Sequence, residues 1–320
     1  MAKKTVTLFG ATGEAGIACV EELIRQNLFD VAVLARKPGQ VEKSSSGLNR
    51  SEGKKKQQYD AWAKKGVAIK HVDATSQEDL VPALEGTDYL VSCVPINATE
   101  SQYPLIWAAK EAGVERFVPS EFGYIYEFEQ FLPTKTIHRT MARQKAFIRR
   151  VIELAGLDYT IIPAGMWPEY YMLEPVAVMG NGENKVSWST GPDVGRIIPH
   201  VLAHPASKNA ICPVAATAYC SWNEMLDVRE KVLGRKVERH YLGVDEWRAA
   251  YAKQPPGAVQ LLMAIGVAAT ETPEGMSLWG NWNKTYLPDF KGTPLDVVFR
   301  DRIEPYLVEL RAALVAAGEL

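Results

Sequence analysis

The sequence predicts an α/β protein: a doubly wound parallel sheet followed by a smaller, mostly helical region. Three observations predict it. Short apolar, β-branched runs alternate with helix-length segments through the first half, a glycine-rich turn joins the first run to an amphipathic helix, and beyond Gly165 the alternation stops while Pro, Trp and Tyr become frequent.

Thr5–Phe9, Val31–Leu34, Ala68–Val72, Tyr89–Val94, Arg116–Pro119 and Tyr159–Pro163 read as strands. Between the second and third, the Ser-, Gly- and Lys-rich stretch from Pro38 to Gly66 reads as an exposed loop before a short helix, with "GKKKQQ" as its solvated part. Val194–His204 reads as a helix, and the apolar run Ala210–Val214 can return to the sheet. The expected organisation is therefore a nucleotide-binding region over 1–165, rejoined by about 194–214, and a discontinuous substrate region over 166–320.

The 320 residues are long enough to bury a large core, and a net charge of −2 offers no positive field for nucleic acid or an anionic membrane. A small-molecule partner is expected instead, bound by a monomer or homodimer. Cys19, Cys93, Cys212 and Cys220 form no Cys-x-x-Cys pair, so neither a disulfide framework nor a zinc knot is expected. The first strand follows Lys4 directly, leaving no room for the apolar region of a signal peptide. The run Ala258–Ala269 is too short to span a bilayer. A cytoplasmic protein is expected.

"VTLFGATGEAGIACVEELIRQN" is a strand, a turn and a helix in immediate succession. Gly10, Gly13 and Gly16 follow a G-x-x-G-x-x-G spacing, which lets backbone N–H groups and the helix N-terminus approach a pyrophosphate. The alternative is a tight turn that holds no ligand. An acidic residue at the end of the second strand would accept the ribose hydroxyls of NAD. Arg36 and Lys37 stand there instead, and both can hold a 2′-phosphate, so NADPH/NADP+ is the expected cofactor.

Short-chain dehydrogenases pair a catalytic Tyr with a Lys four residues later, and no Tyr-x-x-x-Lys occurs in this chain. The strings "FGATGEAG", "ARKP", "GVERFVPSEFG" and "QKAFIRRVIELAGLDYTIIPAG" resemble the isoflavone reductase-like and NmrA-like branch of the atypical short-chain dehydrogenases/reductases. The resemblance implies a Rossmann-type NADPH domain and reduction of conjugated aromatic secondary metabolites, isoflavone-, phenylpropanoid- or polyketide-like. It maps the phosphate loop onto Gly10, Thr12, Gly13, Ala15 and Gly16, and the 2′-phosphate cation onto Arg36. Val94, Pro95, Ile96, Ser120, Glu121 and Phe122 would border the nicotinamide ribose, with Pro163, at the end of the sixth strand, and Gly165, just after it, as further cofactor contacts. Lys145 matches the helix-borne lysine that replaces the Tyr–Lys pair. The "GEAG" turn, Gly165 and the aromatic stretch after "SEFG" depart from the plant pattern and bear on the substrate.

On a helical wheel Leu154, Phe147, Val151, Ala155, Ile148, Met141 and Ile152 form an apolar arc, with Arg139, Arg143, Arg149 and Arg150 opposite. Lys145 lies at the arc's edge. It reads either as a lysine sending its ammonium to water or as one whose partial burial disfavours the ammonium and suits it to general acid/base work. His200 and His204, four apart, have metal-ligand spacing but no Glu after His200 and read as solvated or capping residues, while His138, up to two turns before Lys145, is a candidate second proton carrier with no motif behind it. Tyr124, Tyr126, Trp167 and Tyr171 follow strand ends and can stack on a planar substrate or pack between domains, and "LWGNWNKTY" is a candidate lid. Two further readings stand beside the reductase: an NADP-binding redox sensor without catalysis, and an isomerase.

Overall fold

The computed structural model describes residues 2–37, 52–123, 137–253 and 282–317. Among these residues the chain divides into two compact units. The first comprises 2–37, 52–122, 143–162 and 194–212, and the second the remainder.

The first unit carries strands β1 (Thr5–Phe9), β2 (Asp30–Arg36), β3 (Ala68–Val72), β4 (Tyr89–Ser92), β5 (Arg116–Val118) and β6 (Asp158–Ile161). Helices α1 (Glu14–Gln26), α2 (Glu52–Lys64), α3 (Gln77–Leu84), α4 (Gln102–Glu111) and α5 (Ile137–Ala155) fall between them, as the alternation predicts. A two-residue strand, Ala210–Ile211, pairs in parallel with β6. The described sheet runs β3-β2-β1-β4-β5-β6 and ends on that strand, every pairing being parallel. Strand order reverses between β1 and β4, and in open α/β sheets ligands bind beyond the carboxyl ends of the strands at such a point.

Both faces of the sheet are covered. Leu8, Val33 and Val91 are fully buried, and the cluster around Leu34, Leu90 and Phe117 takes Leu105 and Ile106 from α4 and Ile148 and Ile152 from α5. Helix α6 (Gly191–Ala203) comes so close to α1 that a Cβ on Gly195 would lie 2.1 Å from the Ala15 carbonyl oxygen. That glycine is therefore set by helix packing.

The second unit joins its helices to small sheets that the sequence periodicity did not mark. β7 (Val176–Met179) pairs in parallel with β11 (Arg239–Leu242), and β8 (Lys185–Trp188) pairs antiparallel with β10 (Ala218–Ser221), β9 being the two-residue strand above. These strands are four residues each, too short for a period of two to stand out. Helix α7 (Trp222–Leu233) starts at a capping box between Ser221 and Glu224 and is followed by α8 (Val244–Lys253). Helices α9 (Trp282–Tyr286), α10 (Leu295–Val298) and α11 (Glu304–Ala317) complete the unit, with a π-helical turn, Phe299–Ile303, between the last two. Trp188 and Trp222 meet edge to face at 4.9 Å in its core.

Candidate functional site

Gly10 follows β1 at φ +78°, and a Cβ there would lie 2.6 Å from the Cys93 carbonyl oxygen behind β4. A Cβ on Gly16 would lie 2.5 Å from the Gly10 carbonyl oxygen. These two glycines are required by backbone packing alone. Gly13 is different. Its nearest neighbour to an added Cβ is at 3.5 Å, at ordinary contact distance, so the fold does not demand a glycine there. Gly13 is also the N-cap of α1 and offers no side chain to the first turn of that helix. A bare loop facing an uncapped helix N-terminus is the arrangement that suits a phosphate, and the residues fit a dinucleotide there.

At the end of β2, the Arg36 guanidinium lies 5.5 Å from the centre of the Phe9 ring. Lys37 is committed elsewhere. Its ammonium pairs with Asp79 at the start of α3, and its backbone N–H donates to Val72. The two adjacent cations are thus not equivalent.

The residues after β4 and β5 interlock. Ser120 donates its backbone N–H to Gln102 Oε1 at 2.8 Å, and its hydroxyl donates to the Val94 carbonyl at 2.7 Å. Val94, Ser120, Glu121 and Phe122 are buried, Pro95 is half-buried and Ile96 is exposed. Gln102 had no motif to mark it, although its side chain anchors this turn.

Lys145 is 6% exposed, on the same face of α5 as Ile148 and Ile152. The buried face is rotated from the sequence-derived arc: Phe147 and Leu154 are 55% and 63% exposed, Phe147 packing its edge against Tyr103 on α4. Arg149 is correspondingly not on the outer face with Arg150. Its side chain is 14% exposed and its guanidinium Nε donates to both carboxylate oxygens of Glu121 at 2.9 Å. The sequence reading of four solvated arginines is corrected here by the need to pair a carboxylate that is almost wholly buried. Lys145 and Arg149, four residues apart, stand one turn above the other.

Burial pushes the thiols of Cys93, Cys212 and Cys220 up to about 12 and that of Cys19 well above its ordinary value, so none is a thiolate nucleophile near neutral pH. His200 shares a 2.8 Å hydrogen bond with Glu22, and His204 Nδ1 accepts the Ala206 N–H at 3.2 Å, as a cap. No group of three or more potential metal ligands occurs among the described residues.

In the second unit, Pro163 is buried and Gly165, at φ +75°, has no space for a Cβ, which would lie 2.2 Å from the Ser187 carbonyl oxygen. Packing therefore explains Gly165 without a ligand. Trp167 stacks on Tyr170 at 6.4 Å, and Tyr170 is exposed. Tyr171 is half-buried and packs edge-on against Trp188 and Trp222 at the margin of the core. Tyr124 and Tyr126 lie outside the described residues, as do Ala258–Ala269. Of the candidate lid, only its end is described: Trp282 and Tyr286 pack at 4.7 Å within α9.

Residues 2–254 match the model of the NmrA-like family. The chain belongs to that family. It is 27% identical to an isoflavone reductase of Medicago sativa over 256 residues, covering 75% of this chain and 79% of that protein. Among solved structures it resembles AtPrR2 with NADP+ and (+)pinoresinol, at a TM-score of 0.79 and 21% identity over 94% of this chain and 99% of that one. It also resembles the leucoanthocyanidin reductase–NADPH complex from Vitis vinifera, at 0.74 and 22% over 95% and 99%. At these identities the structural likeness fixes the fold, an NmrA-like Rossmann sheet, and no helix among the described residues is long and apolar enough to cross a membrane.

Proposed function

We propose that this chain is an NADPH-dependent reductase of a conjugated aromatic metabolite, with Lys145 as its general acid/base. The observation that carries the reading is the burial of Lys145 to 6% exposure, since lysines are rarely buried this far and a titratable group held in such a place is a candidate for a functional role. Its neighbourhood is consistent with a built site, since Arg149 and Glu121 tie the next turn of α5 to the Ser120–Phe122 segment.

Gly10, Thr12, Gly13, Ala15 and Gly16 would hold the pyrophosphate, Arg36 the adenosine 2′-phosphate, and Val94–Ile96 with Ser120–Phe122 would border the nicotinamide ribose. When bound, NADPH supplies the hydride. Lys145 moves a proton at an oxygen of the substrate, and the buried setting keeps bulk water from competing for that proton. Trp167 and Tyr171 are the described aromatic residues offered to a planar substrate, half-buried Tyr171 also packing edge-on against Trp188 and Trp222. The relatives that act on isoflavones or bind pinoresinol indicate the substrate class, a fused or linked phenolic.

The test is to saturate the protein with NADPH and follow its oxidation against conjugated aromatic ketones, quinone methides and isoflavone-like compounds. Turnover with one of these classes is expected. Tight NADPH binding with no turnover across the panel would favour the redox-sensor reading instead.

A further inference from the structure

The ladder between β4 and β5 stops at the pair Val91–Val118, because Pro119 follows and has no N–H to donate. Beyond it Ser120 is the central residue of a tight turn, in which the Glu121 N–H donates to the Pro119 carbonyl at 2.8 Å. The Ser120 N–H is thus buried beyond the end of the ladder, and a buried N–H needs a partner. Gln102, the first residue of α4 and 1% exposed, supplies it by accepting that N–H at 2.8 Å. The same amide donates to the Thr99 carbonyl at 3.2 Å, the Thr99 hydroxyl donates to the Ile96 carbonyl at 2.8 Å, and the Ser120 hydroxyl donates to the Val94 carbonyl at 2.7 Å. Together these bonds close a circuit that joins the segment after β4 to the segment after β5.

Val94, Ala98, Leu105 and Ile106, close to these residues in sequence, all belong to the apolar core, so filling the space calls for no amide. An amide whose acceptor and donor are both used holds two segments in one arrangement instead. We propose that Gln102 is a positioning residue for the nicotinamide nucleotide: through Ser120 it keeps the segments after β4 and β5 at the spacing that this half of the cofactor needs. The inference rests on the NADPH reading given above and adds to it a residue that acts through others. In a doubly wound sheet each half receives one nucleotide of a dinucleotide beyond the carboxyl ends of its strands. The glycine loop after β1 and Arg36 at the end of β2 belong to the first half, which leaves the ends of β4 and β5 to the nicotinamide nucleotide. Without the Gln102 amide the Ser120 turn loses its tie to α4, and the wall facing that nucleotide loosens while the glycine loop keeps its own contacts.

The fragment 2′,5′-ADP carries the adenosine half of the cofactor alone and so separates this role from a general effect on the fold. Wild type, Gln102→Met and Ser120→Ala are titrated calorimetrically with NADPH and with 2′,5′-ADP, and the emission of bound NADPH reads the surroundings of its nicotinamide. Thermal melts verify that each variant is folded. Gln102→Met keeps the length of the side chain and removes both amide bonds, whereas Ser120→Ala removes the hydroxyl bond to Val94 and keeps the Gln102 contact, so the second variant decides if the first does not fold. Each is expected to bind NADPH about 5-fold or more weakly, the loss of one or two hydrogen bonds, with its emission moved toward that of free NADPH, and to bind 2′,5′-ADP within about twofold of wild type. A folded variant with wild-type NADPH affinity and emission overturns the proposal. An equal loss for both ligands also overturns it and would make Gln102 a structural tie for the whole sheet end. A wild-type protein that binds neither ligand would overturn the NADPH reading itself and the proposal with it, a result visible without the variants.

Discussion

Arg149 forks onto Glu121, joining helix α5 one turn beyond Lys145 to the segment that follows β5. The Glu121 carboxylate is 2% exposed, so the pair holds a charge that has no recourse to water. Removing one partner of such a pair leaves the other charge uncompensated, whereas replacing both is far less damaging. Arg149→Ala is expected to cost about 3–5 kcal/mol in urea denaturation, and the double variant Arg149→Met with Glu121→Gln to recover most of it. A loss under about 1 kcal/mol for Arg149→Ala would mean that the pair is solvated.

The three loop glycines are expected to separate by function. Gly10→Ala and Gly16→Ala push a methyl into backbone atoms at 2.6 and 2.5 Å, Gly10 also being at positive φ, so both should lower the melting temperature markedly. Gly13→Ala meets nothing closer than 3.5 Å and should melt like wild type while binding NADPH at least tenfold more weakly. Differential scanning fluorimetry and a fluorescence titration read the two effects independently.

Arg36→Ala should raise the NADPH dissociation constant by tenfold or more and leave that for NADH within about twofold, because only the 2′-phosphate distinguishes them. Lys37→Ala should have the smaller effect, its ammonium being paired with Asp79. Equal losses for both nucleotides would place Arg36 outside the phosphate contact.

Glu22 predicts an acid limb in the stability curve. Desolvation raises its pKa, but hydrogen bonds from Arg25, Gln26 and His200 outweigh it and bring the value from 4.5 to about 2. A carboxylate depressed in the folded state stabilises above its unfolded value and loses that contribution as pH falls toward the folded one. After allowing for the solvent exposure of Arg25, the contribution is about 1–2 kcal/mol. Stability of the Glu22→Gln variant should therefore trail wild type at pH 6 and converge with it between pH 4.5 and 2. A constant difference over that interval would contradict the assignment.

The sheet and the phosphate loop were legible because each rests on local rules: short apolar, β-branched runs alternating with helix-length segments, and glycines at a strand–helix junction. Lys145 was legible at the edge of an apolar arc, but the wheel could not tell which part of a wide arc faces the core. The placement of Arg149 and Phe147 depends on what α4 and the Ser120–Phe122 segment offer them, namely Tyr103 and the Glu121 carboxylate. Nor do adjacent positions disclose that Lys37 turns to Asp79 while Arg36 does not. Gln102 carries no motif, since its partner Ser120 lies 18 positions away in sequence. The aromatic segment from Gly165 to Met172 was legible as a cluster but not as a division of labour. Tyr171 packs against Trp188 and Trp222 at the margin of the core, and Tyr170 remains exposed.

The most direct measurement is single-turnover oxidation of NADPH by wild type and Lys145→Ala with the best aromatic substrate from the panel, alongside NADPH titration of each. A proton-transfer role predicts a loss of about 10²- to 10⁴-fold in the rate with NADPH affinity held within a few-fold. Full turnover by the variant, with normal NADPH binding, would contradict the assignment of Lys145.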